Sequence, residues 1–238
     1  GRKIMKVWLI AVVAFLCSPI AGFGQLDVSS LFGDHMVIQR GEGTRVWGTA
    51  PAGSEVGVSI QGRHTTGRAD EAGVWEVTLP RLEAGGPFQM RVNAGATTLE
   101  YTNVLVGDVY LASGQSNMEW RIENGISTPE QVEPLPRLRY AKMKRKVSEV
   151  PLDTTSLEWL EATEENVHAY SAVAYFFAKR LIQEENIPIG IIENAVGGSP
   201  VEAWISAEML AQLPAFHNRI EALQAGEVDL ARSTAGDA

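Results

Sequence analysis

The chain has 238 residues, with 20 Lys and Arg against 29 Asp and Glu and a formal charge of −9. That acidic balance excludes nucleic acid and an anionic membrane surface as its main partner. At 45% hydrophobic and 21% charged, it has an ordinary globular composition with material for one or two cores, and its single cysteine excludes a disulfide scaffold.

The first segment has the pattern of a secretory signal peptide rather than of folded structure. Met5 and Lys6 precede the apolar run VWLIAVVAFLC, which is followed by SPIAGFGQ with small residues at Gly22 and Gly24. Residues 1–24 are therefore expected to be removed, taking Cys17 with them. The run is short for a membrane span. A secreted, periplasmic or cell-surface location is expected, with no stable membrane insertion after cleavage.

From 25 to 103 the pattern is short β-like runs: MVIQ, RVWG, EVGVSI, VWEVTL, FQMRVN and TTLEYT. Turn signals at Gly41-Glu-Gly43, Pro51-Ala-Gly53, Ala72-Gly73 and Gly85-Gly86-Pro87 separate them. Regular spacing of short strands predicts a small all-β sandwich-like domain. In VWEVTL, Trp75, Val77 and Leu79 should face away from Val74, Glu76 and Thr78.

Residues 104–238 read differently. VLVGDVYLA is nearly continuous apolar, as expected for a buried strand of a parallel sheet. Asn124 to Ser156, rich in proline, reads as a loop region whose basic residues Lys142, Lys144, Arg145 and Lys146 form a solvated surface. A helix is predicted from about Glu164 to Glu184, capped by Thr163, with Val167, Tyr170, Ala174, Phe177 and Leu181 on its apolar face. IGIIENA reads as a second buried strand, completing a βαβ unit of an α/β domain. Ser206 should open a short helix, and beyond Leu213 the chain reads as polar and coreless.

Two loops follow the buried strands, and both carry residues capable of acyl chemistry. LASGQSNMEW places Ser116 where a strand ends; by position alone it reads equally as a helix cap or as a nucleophile. The segment is not the G-x-S-x-G elbow of α/β-hydrolases, since Met118 stands where the second glycine belongs. That departure disfavours a lipase or peptidase of that type.

GDVYLASGQSNMEW resembles the first block of the SGNH hydrolases, and more closely the sialate O-acetylesterase and acetylxylan esterase-related family. LFGDHMVIQR, RVWGTAPAGSEV, DEAGVWEVTLPRLEAGGPFQMRV, HAYSAVAYFFAKRL and IPIGIIENAVGGSPVEAWIS resemble it in the same order, over roughly residues 26–213. The resemblance implies a flavodoxin-like, three-layer α/β/α SGNH domain after the β domain. It also implies a serine esterase that removes O-acetyl groups from sugars through an acyl-enzyme.

Ser116 would be the nucleophile, and its own N–H together with that of Gly198 would form the oxyanion hole, where fixed amides stabilise the tetrahedral intermediate. Gln115, Asn117, Glu202 and Trp204 belong to the same blocks as site-lining candidates, and Glu202 and Trp204 read better as braces of the loop. The partner implied is an acetylated sugar or glycan. No metal or organic cofactor is implied, since no ligand cluster has suitable spacing.

The sequence also departs from the family. Its later H-Q-G-E block and Asp-x-x-His base are missing, and the histidines present are His35, His64, His168 and His217, with Pro214 three residues before the last. The chain thus reads as an N-terminal fragment, inactive without its base. The alternative is a non-catalytic carbohydrate-binding module.

Overall fold

The computed structural model describes residues 24–125, 131–144, 152, 155 and 157–226. The expected signal segment lies outside the described residues, except for Gly24. Among the described residues, eleven strands run in chain order: β1 (Asp27–Val28), β2 (Val37–Gln39), β3 (Arg45–Thr49), β4 (Glu55–Ile60), β5 (Arg63–Arg68), β6 (Val74–Thr78), β7 (Gly85–Ala94), β8 (Thr97–Gly114), β9 (Leu135–Lys142), β10 (Trp159–Ala162) and β11 (Ile189–Ala195). The α-helices are α1 (Ser116–Glu119), α2 (Ala172–Glu185), α3 (Ala207–Leu210) and α4 (His217–Gln224).

The first part is two sheets closing on one core. β1-β3-β6 forms one sheet, and β5-β4-β7 continues through β8 as the other. Val46, Trp75 and Val77 from the first sheet meet Val56, Val58, Ile60, Met90 and Val92 from the second in one buried cluster. The alternation predicted for VWEVTL is observed: Trp75, Val77 and Leu79 are buried while Val74, Glu76 and Thr78 are exposed. β5 was not legible in the sequence, because RHTTGR is a polar edge strand paired only with β4.

β8 joins the two parts of the molecule. Over its first residues it pairs antiparallel with β7, at Leu105–Gly107 it pairs parallel with β2, and from Asp108 to Gly114 it pairs parallel with β11. The expected boundary between 103 and 104 lies inside this strand, where Asn103 takes a φ of 53°. β9 pairs parallel with β11 on its other side, and β10 closes the edge antiparallel. The class is α/β, as expected.

The parallel sheet is covered on two faces. Leu138, Tyr140, Ile189 and Ile191 pack against Ala174, Tyr175 and Ala178 of α2. Val109, Ala141, Trp159 and Ile192 pack into the core of the first part instead. The Trp159 indole also donates to Leu31 O at 2.9 Å.

Three expectations need correction. The helix starts at Ala172, not Glu164, and its cap is Ser171, whose side chain accepts from Ala174 N–H, rather than Thr163. The residues before it instead form a 3-10 turn at Val167–Ala169, which lets Tyr170 stack on Tyr140 and accept the Ile122 N–H. The buried face of α2 is consequently Ala172, Ala174, Tyr175 and Ala178, and Phe177 is 44% exposed.

The region expected to be loop contains β9, with Pro136 near the strand's start, where a missing N–H is tolerated. The segment after Leu213 is also not coreless, since α4 forms there and buries Ile220. Ser206 does cap α3, accepting from Met209 N–H.

Candidate active site

The carboxyl ends of β8, β9 and β11 lie side by side. Gly114 pairs with Ala195, Ser113 with Asn194, and Glu193 with both Ala112 and Lys142. Open α/β sheets hold their ligands at this edge. The chain leaves β8 at Gly114 (φ 137°), a glycine-favoured conformation, and enters α1 at once.

Gln115 is the cap of α1, and Ser116 is its first residue, which removes the reading of Ser116 as a cap. Gln115 Oε1 accepts both the Ser116 N–H at 3.1 Å and the Ser116 hydroxyl at 2.8 Å. It therefore occupies both donors of the serine, so a substrate oxygen at this place would have to displace it. Asn117 is exposed beside them.

After β11 the chain turns through Val196 to Ser199. Val196 N–H donates to Gly114 O at 2.9 Å, which fixes the turn to the end of the neighbouring strand. A Cβ on Gly197 would lie 3.6 Å from Ser116 Cβ, so this loop and the serine are in contact. Gly198 has a φ of 78° and open space around it, and among the described residues nothing accepts its N–H. Trp204 donates its indole N–H to Ser199 Oγ at 2.9 Å, and that hydroxyl donates to Val196 O at 2.7 Å. Trp204 thus braces the loop. Glu202 lies two residues earlier in the same 3-10 helix, Val201–Trp204.

The structure adds residues that sequence reasoning did not single out. Glu119 Oε2 accepts the Gly197 N–H at 2.8 Å. Lys142 Nζ lies 3.7 Å from Glu119 Oε1 and 2.7 Å from Glu193 Oε1, so it is an ion-pairing residue of the site and not simply a solvated base. Glu193 is 1% exposed, and its other oxygen accepts from the Tyr140 hydroxyl. Burial, followed by that hydrogen bond, pushes the Tyr140 phenol well above its ordinary range. One signal for Glu193 was available: a lone carboxylate inside the apolar strand IGIIENA, where an unpaired charge would not be tolerated.

No described histidine is hydrogen-bonded to Ser116. His35 lies 2.9 Å from Asn103 Nδ2 and 3.1 Å from Glu161. The stretch of β8 between Asn103 and Gly114, on the order of 30 Å at roughly 3.3 Å per residue, separates it from the serine. His64 pairs with Ser59 in the β domain, His217 contacts Ala211 O at 2.8 Å, and His168 is exposed in its 3-10 turn. Among the described residues, no group of three or more His, Cys, Asp or Glu is gathered as a metal site, and no helix is long and apolar enough to cross a membrane.

Comparison with known proteins places this geometry in context. The family described as carbohydrate esterase, sialic acid-specific acetylesterase, matches residues 106–230. A sialate O-acetylesterase of Pongo abelii is 31% identical over 211 residues, covering 80% of this chain and 40% of its own length. The Homo sapiens sialate O-acetylesterase is 29% identical with the same coverage. The crystal structure of a carbohydrate acetylesterase from Xanthomonas citri superposes with a TM-score of 0.75 at 38% identity, covering 79% of this chain and 44% of that one. The chain thus spans about two fifths of the length of the curated relatives it matches.

Proposed function

Because the chain belongs to the sialic acid-specific acetylesterase family of carbohydrate esterases, we propose that Ser116 is the nucleophile of an esterase that removes O-acetyl groups from sugars. The observation that carries this reading is the contact of Ser116 with the glycine loop. A Cβ on Gly197 would stand 3.6 Å from Ser116 Cβ, and the next residue holds an N–H that no described group accepts.

The chemistry follows from that arrangement. Ser116 Oγ adds to the acetyl carbonyl carbon, and the carbonyl π pair moves to oxygen. The oxyanion takes the Ser116 N–H once Gln115 Oε1 releases it and engages the Gly198 N–H, so that two backbone donors meet the developing charge. Collapse expels the sugar oxygen, which leaves protonated as the hydroxyl, and acetyl-Ser116 remains. Water then adds to the acyl carbon and releases acetate. The serine proton needs a base, and none of the described histidines is bonded to Ser116, so the base comes from outside the described residues. The basic start and apolar run before residue 25 support secretion, and with it an acetylated glycan met outside the cytoplasm.

The reading is tested by acid-quenched mass spectrometry after exposure to an activated aryl acetate in the presence of imidazole, which supplies the absent proton acceptor, with acetate release from O-acetylated sugars measured in parallel. An acetyl adduct is expected on Ser116 and on no other residue, and it should vanish in Ser116→Ala. Acylation elsewhere, or an adduct that survives the substitution, would overturn the assignment.

A further inference from the structure

We infer that Glu119, Lys142 and Glu193 form an ionic relay that sets the Gly197-Gly198 loop against Ser116, making all three positioning residues. The inference rests on the reading of Ser116 as the nucleophile.

The relay is anchored in the core. A carboxylate as buried as Glu193 is tolerated only when its charge is paired and its oxygens are hydrogen-bonded. Tyr140 supplies one partner and is itself held, because its oxygen accepts the Ser171 N–H at 3.0 Å and its ring stacks on Tyr170 at 4.1 Å. Lys142 supplies the countercharge, its Nζ 2.7 Å from Oε1 in an ion pair that lacks hydrogen-bond geometry. The ammonium is thereby fixed by a buried partner, whereas an exposed lysine is free to sample rotamers.

From that fixed point the charge reaches the loop. Lys142 holds Glu119, and Glu119 takes the Gly197 N–H. Lys142 and Glu193 come from neighbouring strands in register, and Glu119 comes from α1, which directly follows β8 on the other side of β11. Because Glu119 consumes the Gly197 donor, the Gly198 N–H, one residue on from the contact with Ser116, is left as the loop's unpaired donor. Val196 and Ser199 tie the ends of the loop, and Glu119 supplies the tie at its exposed glycines. Oxyanion stabilisation depends on donors that are already in place.

Amide hydrogen exchange at Gly197 reads the relay directly, and the rate of Ser116 acetylation by an aryl acetate reads its consequence. Lys142→Met does not touch Gly197, yet it should speed Gly197 exchange about tenfold or more, as expected for a locally opened hydrogen bond. Glu119→Gln keeps an acceptor for Gly197 but breaks the charge link to Lys142, so an intermediate increase is expected, and Lys142→Arg should restore protection. Exchange at Val58 and Val92 in the β domain, unchanged throughout, controls for global unfolding.

Acetylation of Ser116 should slow in the same order, with the loss in the maximal rate and not in the concentration giving half saturation. Unchanged Gly197 exchange in both Lys142→Met and Glu119→Gln would overturn the relay. Faster exchange with unchanged acetylation would overturn its positioning role. If the unsubstituted chain takes no acetyl group on Ser116 even with imidazole added as proton acceptor, the nucleophile reading fails, while Gly197 exchange still decides the relay.

Discussion

Val37 closes over Gly190 so tightly that a Cβ on the glycine would lie 2.8 Å from Val37 Cβ and 3.3 Å from the Trp159 ring. This contact sets β2, which pairs with β8, against β11 in the middle of the parallel sheet. It explains why the β domain is seated on one face of the sheet with no spacer. Gly190→Ala should destabilise by about 1–3 kcal/mol through overpacking. Adding Val37→Ala removes the Cγ2 contact at 3.2 Å but keeps the Cβ at 2.8 Å, so it should recover only a small part of that loss. Urea unfolding of the two single variants and the double variant measures both effects. A neutral Gly190→Ala would mean the seam is looser than the structure shows.

Tyr140→Phe should keep the stack on Tyr170 but strip a donor from Glu193 and an acceptor from Ser171 N–H. Leaving buried polar groups unsatisfied costs about 1–3 kcal/mol. The same tyrosine predicts a pH dependence. Its folded-state pKa is raised by burial and by Glu193, so the protonated phenol is the native form. Its contribution is complete below the unfolded value of about 10 and is lost as pH rises above it, at about 1.4 kcal/mol per pH unit. Tyr170, also raised by burial, acts with the same sign. Thermal unfolding between pH 8 and 11 should show a shallower alkaline decline in Tyr140→Phe than in the unsubstituted chain.

Trp204→Phe separates bracing from substrate contact. The substitution keeps most of the ring but removes the N–H that holds Ser199 Oγ. A loop hydrogen bond of this kind contributes about 0.5–1.5 kcal/mol, so Gly197 and Gly198 should become more mobile while overall stability changes little. Bracing predicts a fall in the Ser116 acetylation rate that is the same for an aryl acetate and for an acetylated sugar. A loss confined to the sugar would instead make Trp204 a substrate contact.

Much of this architecture was legible because apolar patterning reports burial directly. VWEVTL alternates, and its Trp75 and Val77 are buried; VLVGDVYLA and IGIIENA run apolar and pair as parallel neighbours. The failures share a cause: tertiary partners overrode local pattern. Val167 and Tyr170 recur at helical spacing, yet Tyr170 leaves the helix to stack on Tyr140. β9 was hidden because Pro136, Arg137 and the buried Arg139 break up the apolar run, although Leu138 to Ala141 are all buried. The serine and glycine loops could be found from their position after strands. The link between them could not, because Lys142 and Glu193 come from distant segments that meet through strand register, and Glu119 reaches them from α1.

The last prediction concerns the base. A serine hydroxyl near neutral pH is a poor nucleophile unless a neighbouring group takes its proton, and such a base contributes roughly 10²–10⁴-fold. His35 is committed to Asn103 and Glu161 at the other end of β8, His217 contacts Ala211 O, and no described histidine is bonded to Ser116. This 238-residue chain should therefore release acetate from an aryl acetate only slightly faster than its Ser116→Ala variant. Imidazole added to solution should supply part of the missing function. The increment over free imidazole catalysis should depend on Ser116 and should rise with the neutral imidazole fraction, through the imidazole pKa. Strong turnover without imidazole would show that one of the chain's histidines reaches the serine, and single substitutions of His35, His64, His168 and His217 would then identify it. Serine-dependent rescue, with acetate production lost in Ser116→Ala, would show that the nucleophile and its amides are already assembled and lack only the proton acceptor.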